Sequence, residues 1–277
     1  MRRLLLALGG CLLVLLVAAC ENEGPRPTPQ AQDPQAMVSE ALSAMEGLRS
    51  YRLEMLFTSA EGQPVVIEFA VPDSYHFLIH AVQADEIEEP EGVYEVIMVG
   101  DKAYTRQCGD IEKACDPWRQ GPRPPVPIAG PSPSFAPGWP LVALEMAQGL
   151  QVVGAEDVDG VEATYLRGTV NHIRAVRENE RRVFTAAGIT TFGKECEQSA
   201  GREEVCRDLT FEENLAQQEP ELSFYDENPS TMEVWVSEDG LVRRIRLQIP
   251  PHEAGDEGTA AALEYSRFNE VEIEPPE

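Results

Sequence analysis

Tyr51-Arg52-Leu53-Glu54-Met55-Leu56-Phe57-Thr58 sets the apolar side chains Tyr51, Leu53, Met55 and Phe57 on alternate positions against Arg52, Glu54 and Thr58. A period of two is the mark of a strand with one greasy face, because successive side chains of an extended chain point to opposite sides. The pattern returns at Val65, Ile67, Phe69 and Val71 after Glu61-Gly62, and at Tyr75, Phe77, Ile79 and Ala81 after Pro72-Asp73. Three strands joined in meander succession are expected.

Working outward, Val38, Ala41, Leu42, Met45 and Leu48 recur at helical spacing, so one amphipathic helix over 36–48 precedes the first strand. Downstream, an acidic loop from Asp85 to Glu91 leads to strands over 94–99 and 102–107, with Gly100-Asp101 as a two-residue hairpin turn between them. Residues 120–140 carry eight prolines and read as a long irregular loop, followed by a short helix over 141–150. Asp159-Gly160 turns a hairpin between 151–155 and 161–171, and Ile173, Val176, Val183, Phe184 and Ala187 then resume the helical period. Residues 188–229 are polar and poorly periodic and read as an insertion. A last hairpin, Met232 to Val236 and Leu241 to Ile249 around Asp239-Gly240, is followed by an expected edge strand over 261–273. About ten strands joined by tight hairpins and about three helices make an α+β fold, one curved antiparallel sheet packed on helices in a single body over 36–277.

The N-terminus carries an address. Arg2 and Arg3 precede an unbroken small-or-apolar run from Leu4 to Ala19, shorter than the ~20 residues of a spanning helix, and Cys20 is followed at once by Glu21-Asn22-Glu23. Residues 1–19 read as a signal peptide. Leu16-Val17-Ala18-Ala19-Cys20 resembles a bacterial lipobox, in which the Cys20 thiol receives a diacylglycerol carrying chains such as palmitate and becomes the new N-terminus. Residues 20–35, with Pro25, Pro27, Pro29 and Pro34, form a tether. The expected localisation is exported and lipid-anchored, on the outer face of the cell membrane or facing the periplasm.

With 22 Lys+Arg against 48 Asp+Glu, the chain has a net charge of −26, and two of those cations lie in the export segment. Polyphosphate partners are repelled by such a surface, so nucleic acid is excluded as a partner. Cys108, Cys115, Cys196 and Cys206 are spaced as two local pairs in an exported chain. Disulfides 108–115 and 196–206 are the favoured of three connectivities, with a zinc site as the alternative, although no Cys-x-x-Cys occurs.

Chemistry is sparse. No Gly-x-Ser-x-Gly, Ser-x-x-Lys, His-Glu-x-x-His or phosphate-binding glycine loop is present, so no catalytic residue, metal ligand or cofactor is assigned and the chain is expected not to be an enzyme. His76 and His80 stand about 13 Å apart on a strand, too far for one zinc. Asp157-Val158-Asp159-Gly160 lacks the terminal glutamate of a calcium loop. The carboxylates Glu86, Glu88, Glu89 and Glu91 read as a solvated loop, and the Pro122 to Pro127 run as a stiff one. Arg174, Arg177, Arg181 and Arg182 share one stripe of the third helix. They either pair with neighbouring acids such as Glu178 or contact anionic headgroups or a partner.

Four segments together resemble the lipoprotein-carrier superfamily of LppX/LprG-type and LolA/LolB-like lipoproteins. They are Leu48-Arg49-Ser50-Tyr51-Arg52, Val71-Pro72-Asp73-Ser74-Tyr75, Tyr94 to Tyr104 with Pro117-Trp118 beyond, and Met232-Glu233-Val234-Trp235-Val236 leading into Leu241 to Ile249. The resemblance implies a half-barrel sheet wrapped around helices, with an apolar cavity for acyl chains and neither cofactor nor turnover. Alternation then places Leu53, Met55, Phe57, Val65, Ile67, Phe69, Phe77, Ile79, Ile245 and Leu247 on the cavity wall. The expected partner is a lipid or acylated molecule. A non-enzymatic envelope sensor or partner-binding lipoprotein of the same fold is the alternative, and an uncharacterised hydrolase is a more distant one.

Overall fold

In the computed structural model, residues 33–57, 64–71, 74–80, 93–109, 115–124, 138–191, 194–197, 205–252 and 258–276 are described. The signal peptide, Cys20, most of the tether and the acidic loop over 85–91 lie outside them.

Helix α1 (Pro34–Glu46) leads into a meander of β1 (Ser50–Phe57), β2 (Val65–Ala70), β3 (Ser74–His80), β4 (Val93–Val99), β5 (Lys102–Cys108) and β6 (Arg119–Pro122). Then come α2 (Trp139–Glu145), the long hairpin β7 (Gln148–Val158) and β8 (Val161–Val170), and α3 (His172–Ala186). The hairpin of β9 (Lys194–Glu197) and β10 (Val205–Asp208), α4 (Phe211–Gln217) and α5 (Glu219–Glu227) occupy the segment read as an insertion. The chain ends in β11 (Ser230–Ser237), β12 (Val242–Ile249) and β13 (Thr259–Ser266). Eleven strands form one open antiparallel sheet in the order β6-β5-β4-β3-β2-β1-β13-β12-β11-β8-β7, with β9 and β10 as a separate ribbon. The α+β half-barrel is therefore present, with five helices among the described residues.

Several local expectations change. The segment expected as an irregular loop over 120–140 starts inside a strand, since Arg119–Pro122 is β6 and pairs with β5, and ends inside a helix, since α2 begins at Trp139. β13 is not an edge: it pairs with β1 on one side and β12 on the other, joining the N-terminal meander to the C-terminal strands. Its Ala261, Leu263 and Tyr265 are all buried and each packs into the core, as suits a strand flanked on both sides. The helix expected over 141–150 stops at Glu145, because Gly149 adopts φ +62 and the chain has already entered β7 at Gln148. The insertion is ordered where local chemistry starts a helix. Thr210 caps α4 by accepting from the Glu213 N–H while the Glu213 carboxylate accepts from the Thr210 N–H, and Pro220 sits in the first turn of α5.

Helix α1 packs on β7 and β12, α2 on α1 and α3, and α3 on α5. The helices thus gather over the β7 to β12 part of the sheet. Among the described residues no helix is long and apolar enough to cross a membrane.

Candidate functional site

The pairing registers decide which side chains share a face, because residues directly opposite in an antiparallel pair point the same way. One rung runs Val96, Phe77, Ile67, Leu53, Tyr265 from β4 to β13. The next runs Val65, Met55, Leu263, Ile245, Val234, Leu166 from β2 to β8. A third is Phe57, Ala261, Leu247, Met232, and a fourth Met98, Tyr75, Phe69, Tyr51. Ile79 extends this face toward Tyr94 on β4. All ten residues read from the sequence as a cavity wall stand on one face of the sheet and belong to, or pack against, one apolar cluster. Val38, Ala41 and Met45 of α1 and Trp139, Ala143 and Leu144 of α2 join that cluster.

Burial on this face is uneven. Leu53, Met55, Ile67 and Phe77 are fully enclosed, whereas Phe57, Phe69, Tyr75, Ile79 and Val96 are half-buried and Tyr94 is 40% exposed. Tyr51 and Tyr75 are read from the sequence on the strands' apolar faces but left off the wall, and Tyr265 and Leu263 are not singled out. The same alternation at 51–57, 75–79 and 261–265 carried the signal for them.

Part of the opposite face is polar and cross-linked. His76 lies between two carboxylates, with Nδ1 3.1 Å from Glu68 and Nε2 2.8 Å from Glu95. Arg106 donates to Glu95, and Arg52 and Arg267 donate to Glu68. His76 is thus held as one link of a hydrogen-bonded ladder of acids and arginines, and among the described residues no group of His, Cys, Asp or Glu is placed to hold a metal. Further along, Tyr165 and Trp235 stack at 4.9 Å between ring centroids, and the Trp235 indole donates to Glu156 at 2.9 Å. This second cluster, with Val158 and Ala163, stiffens the β7, β8 and β11 part of the sheet from outside. Asp157 accepts from the Gly160 N–H at 2.8 Å, with Asp159 and Gly160 both at positive φ, as a tight hairpin turn requires.

The four arginines of α3 all meet acids. Arg174 donates to Asp226 of α5 at 2.9 Å, Arg177 to Glu180 at 2.6 Å, Arg181 to Glu178 at 2.6 Å, and Arg182 to Glu145 of α2 at 2.7 Å. The Arg181 hydrogen bond, aided by Arg182, holds the Glu178 carboxyl down at about 2. Hydrogen bonds from Arg182 and Arg174 likewise lower Glu145 and Asp226. Arg174 and Arg182 fasten α3 to α5 and α2, and Arg177 and Arg181 pair within α3.

Cys108, at the end of β5, forms a disulfide with Cys115. Cys206 is disulfide-bonded and lies directly opposite Cys196 in the β9–β10 register.

No family model matches the chain, and no curated protein matches it. Solved structures do. LppX from Mycobacterium tuberculosis is 14% identical with a TM-score of 0.44, over 87% of this chain and 98% of that one. LprF from Mycobacterium bovis is 13% identical with a TM-score of 0.49, over 91% and 99%. A LolA superfamily protein from Nitrosomonas europaea is 10% identical with a TM-score of 0.21, over 87% and 94%.

Proposed function

We propose that this chain is an exported lipoprotein, anchored through diacylated Cys20, whose sheet holds a lipid or other acylated molecule against its apolar face. The observation that supports this most is the half-burial of Phe57, Phe69, Tyr75, Ile79 and Val96 on the face where Leu53, Met55, Ile67 and Phe77 are fully enclosed. Large apolar side chains left partly open beside a packed core are the kind of surface that acyl chains cover at a gain of roughly 0.8 kcal/mol per buried CH₂. The reading assigns binding, with transport as its use, and gives no residue a catalytic role. The arginine stripe enters it as acid-paired, with Arg174 and Arg182 tying α3 to α5 and α2 and Arg177 and Arg181 paired within α3.

A fluorescent acyl probe tests the reading: saturable binding, displaced by fatty acid, is expected. Absence of binding together with a specific protein partner favours the sensor alternative. Anchoring has its own test. Cys20→Ser is expected to abolish acylation and to release or misprocess the chain, and retention of the variant through covalent lipid contradicts the lipobox reading.

A further inference from the structure

Four aromatic rings cross the apolar face at one end of the strands. Tyr265, next to the last residue of β13, lies 5.8 Å from Tyr51 at the start of β1; Tyr51 is 5.3 Å from Phe69 at the end of β2, and Phe69 is 5.2 Å from Tyr75 at the start of β3. Beyond this row the rungs run through Met55 and Leu263 and then through Ala261, Leu247 and Met232, with Phe57 on the second of them and Tyr94 opposite Ile79 on the same face. The row contains three tyrosines, each bearing a hydroxyl.

One of those hydroxyls is anomalous. Tyr265 is 3% exposed, and its OH has no hydrogen-bond partner among the described residues. Buried tyrosine hydroxyls ordinarily find a partner, because leaving one unsatisfied forfeits the hydrogen bonds it makes with water. Trp139 Nε1 on α2 is a second orphaned donor in the same apolar cluster. Burial raises the Tyr265 phenol well above its ordinary range, with the nearby Tyr51 adding to the shift, so the group keeps its proton at any physiological pH. It can donate, and what it lacks is an acceptor.

The acceptor that a hydrocarbon ligand brings to such a place is an ester carbonyl, an uncharged oxygen at the head of an acyl chain. We propose that the Tyr265 hydroxyl donates a hydrogen bond to the ester carbonyl of bound acyl cargo, whose ester end lies at the aromatic row. This rests on the lipid-binding reading above and makes it specific: acyl esters are preferred over ethers of the same shape, which lack the carbonyl.

The test loads the full chain, purified in mild detergent, with an equimolar mixture of dioleoylglycerol and its dialkyl-ether counterpart, and counts each bound species by native mass spectrometry. The parent is expected to favour the ester by roughly three- to tenfold, the value of one uncharged hydrogen bond. Tyr265→Phe is expected to abolish that preference, leave ether loading unchanged, and unfold at the parent's temperature or above it, since it deletes an unsatisfied oxygen. Tyr51→Phe, the neighbouring control, is expected to keep the preference. Equal loading of both lipids by the parent, or a preference surviving in Tyr265→Phe or lost instead in Tyr51→Phe, overturns the assignment of Tyr265 while lipid binding stands. Failure of either lipid to load overturns both.

Discussion

Replacing Phe69 by tryptophan asks whether the apolar face has room beside it. Phe69 is half-buried between Tyr51 and Tyr75, whereas Phe77, on the adjacent strand and the same face, is fully enclosed between Ile67 and Val96. Enlarging a side chain in a closed core costs roughly 1 to 3 kcal/mol, because its neighbours must leave their preferred rotamers. For a domain of this size each kcal/mol moves the melting temperature by about 2 to 4 °C, so Phe77→Trp is expected to lower it by roughly 2 to 12 °C. Phe69→Trp, which can place its added ring edge on the open side, is expected to shift it by less than about 2 °C. The same indole occupies space proposed for acyl chains, so displacement of a fluorescent acyl probe should require less competitor or the probe should bind more weakly. Thermal unfolding by circular dichroism and probe titration, on both variants and the parent, give the two readouts. A loss of stability in Phe69→Trp equal to that in Phe77→Trp, with no probe bound by the parent, refutes the reasoning and makes the interior a solid core.

Other consequences follow from named groups. Cys108 and Cys115 are separated by seven positions, and closing so short a loop restricts the unfolded chain by about 2.5 kcal/mol, so the double Cys→Ser variant is expected to lose about that much in urea unfolding. His172 is buried beside Tyr225 with Nδ1 2.9 Å from the Ser230 hydroxyl, and desolvation lowers its pKa to about 4. Because the unfolded chain takes up this proton near pH 6.5 and the folded chain does not until about pH 4, stability falls as pH drops through that window. About 2 kcal/mol should be lost from this group between pH 7 and pH 5, and His172→Asn should flatten that part of the profile. The paired arginines of α3 predict that the unlipidated body binds anionic and neutral vesicles alike, whereas strong, salt-sensitive preference for anionic lipid in a flotation assay contradicts their fastening role.

Much of this fold is legible in the sequence because its strands bury one side only. A half-buried strand must alternate, and the residues at 51–57, 65–70 and 75–79 do. Turns are equally local: Gly100, Asp159, Gly160 and Gly240 all adopt the positive φ that Gly and Asp tolerate, at the places where hairpins were expected. Position within the sheet is not local. Nothing between Thr259 and Ser266 announces that β13 lies between β1 and β12, since that placement depends on residues some two hundred positions away. Short elements escape for another reason: α4 and α5 have seven and nine residues, too few turns for a period to stand out from 188–229. The wall residues could be read as one face from alternation alone, but uneven burial across that face, and the lone Tyr265 hydroxyl, exist only once distant strands are in register.

Mass spectrometry of lipid extracted from the chain after purification from its own cell envelope bears most directly on the claim that the sheet carries acyl cargo. The account predicts a non-covalently bound acyl-ester lipid at a substantial fraction of one per chain, distinct from the diacylglycerol attached to Cys20 and reduced in Phe69→Trp. Recovery of the attached diacylglycerol alone, with no extractable lipid from a well-folded protein, contradicts it.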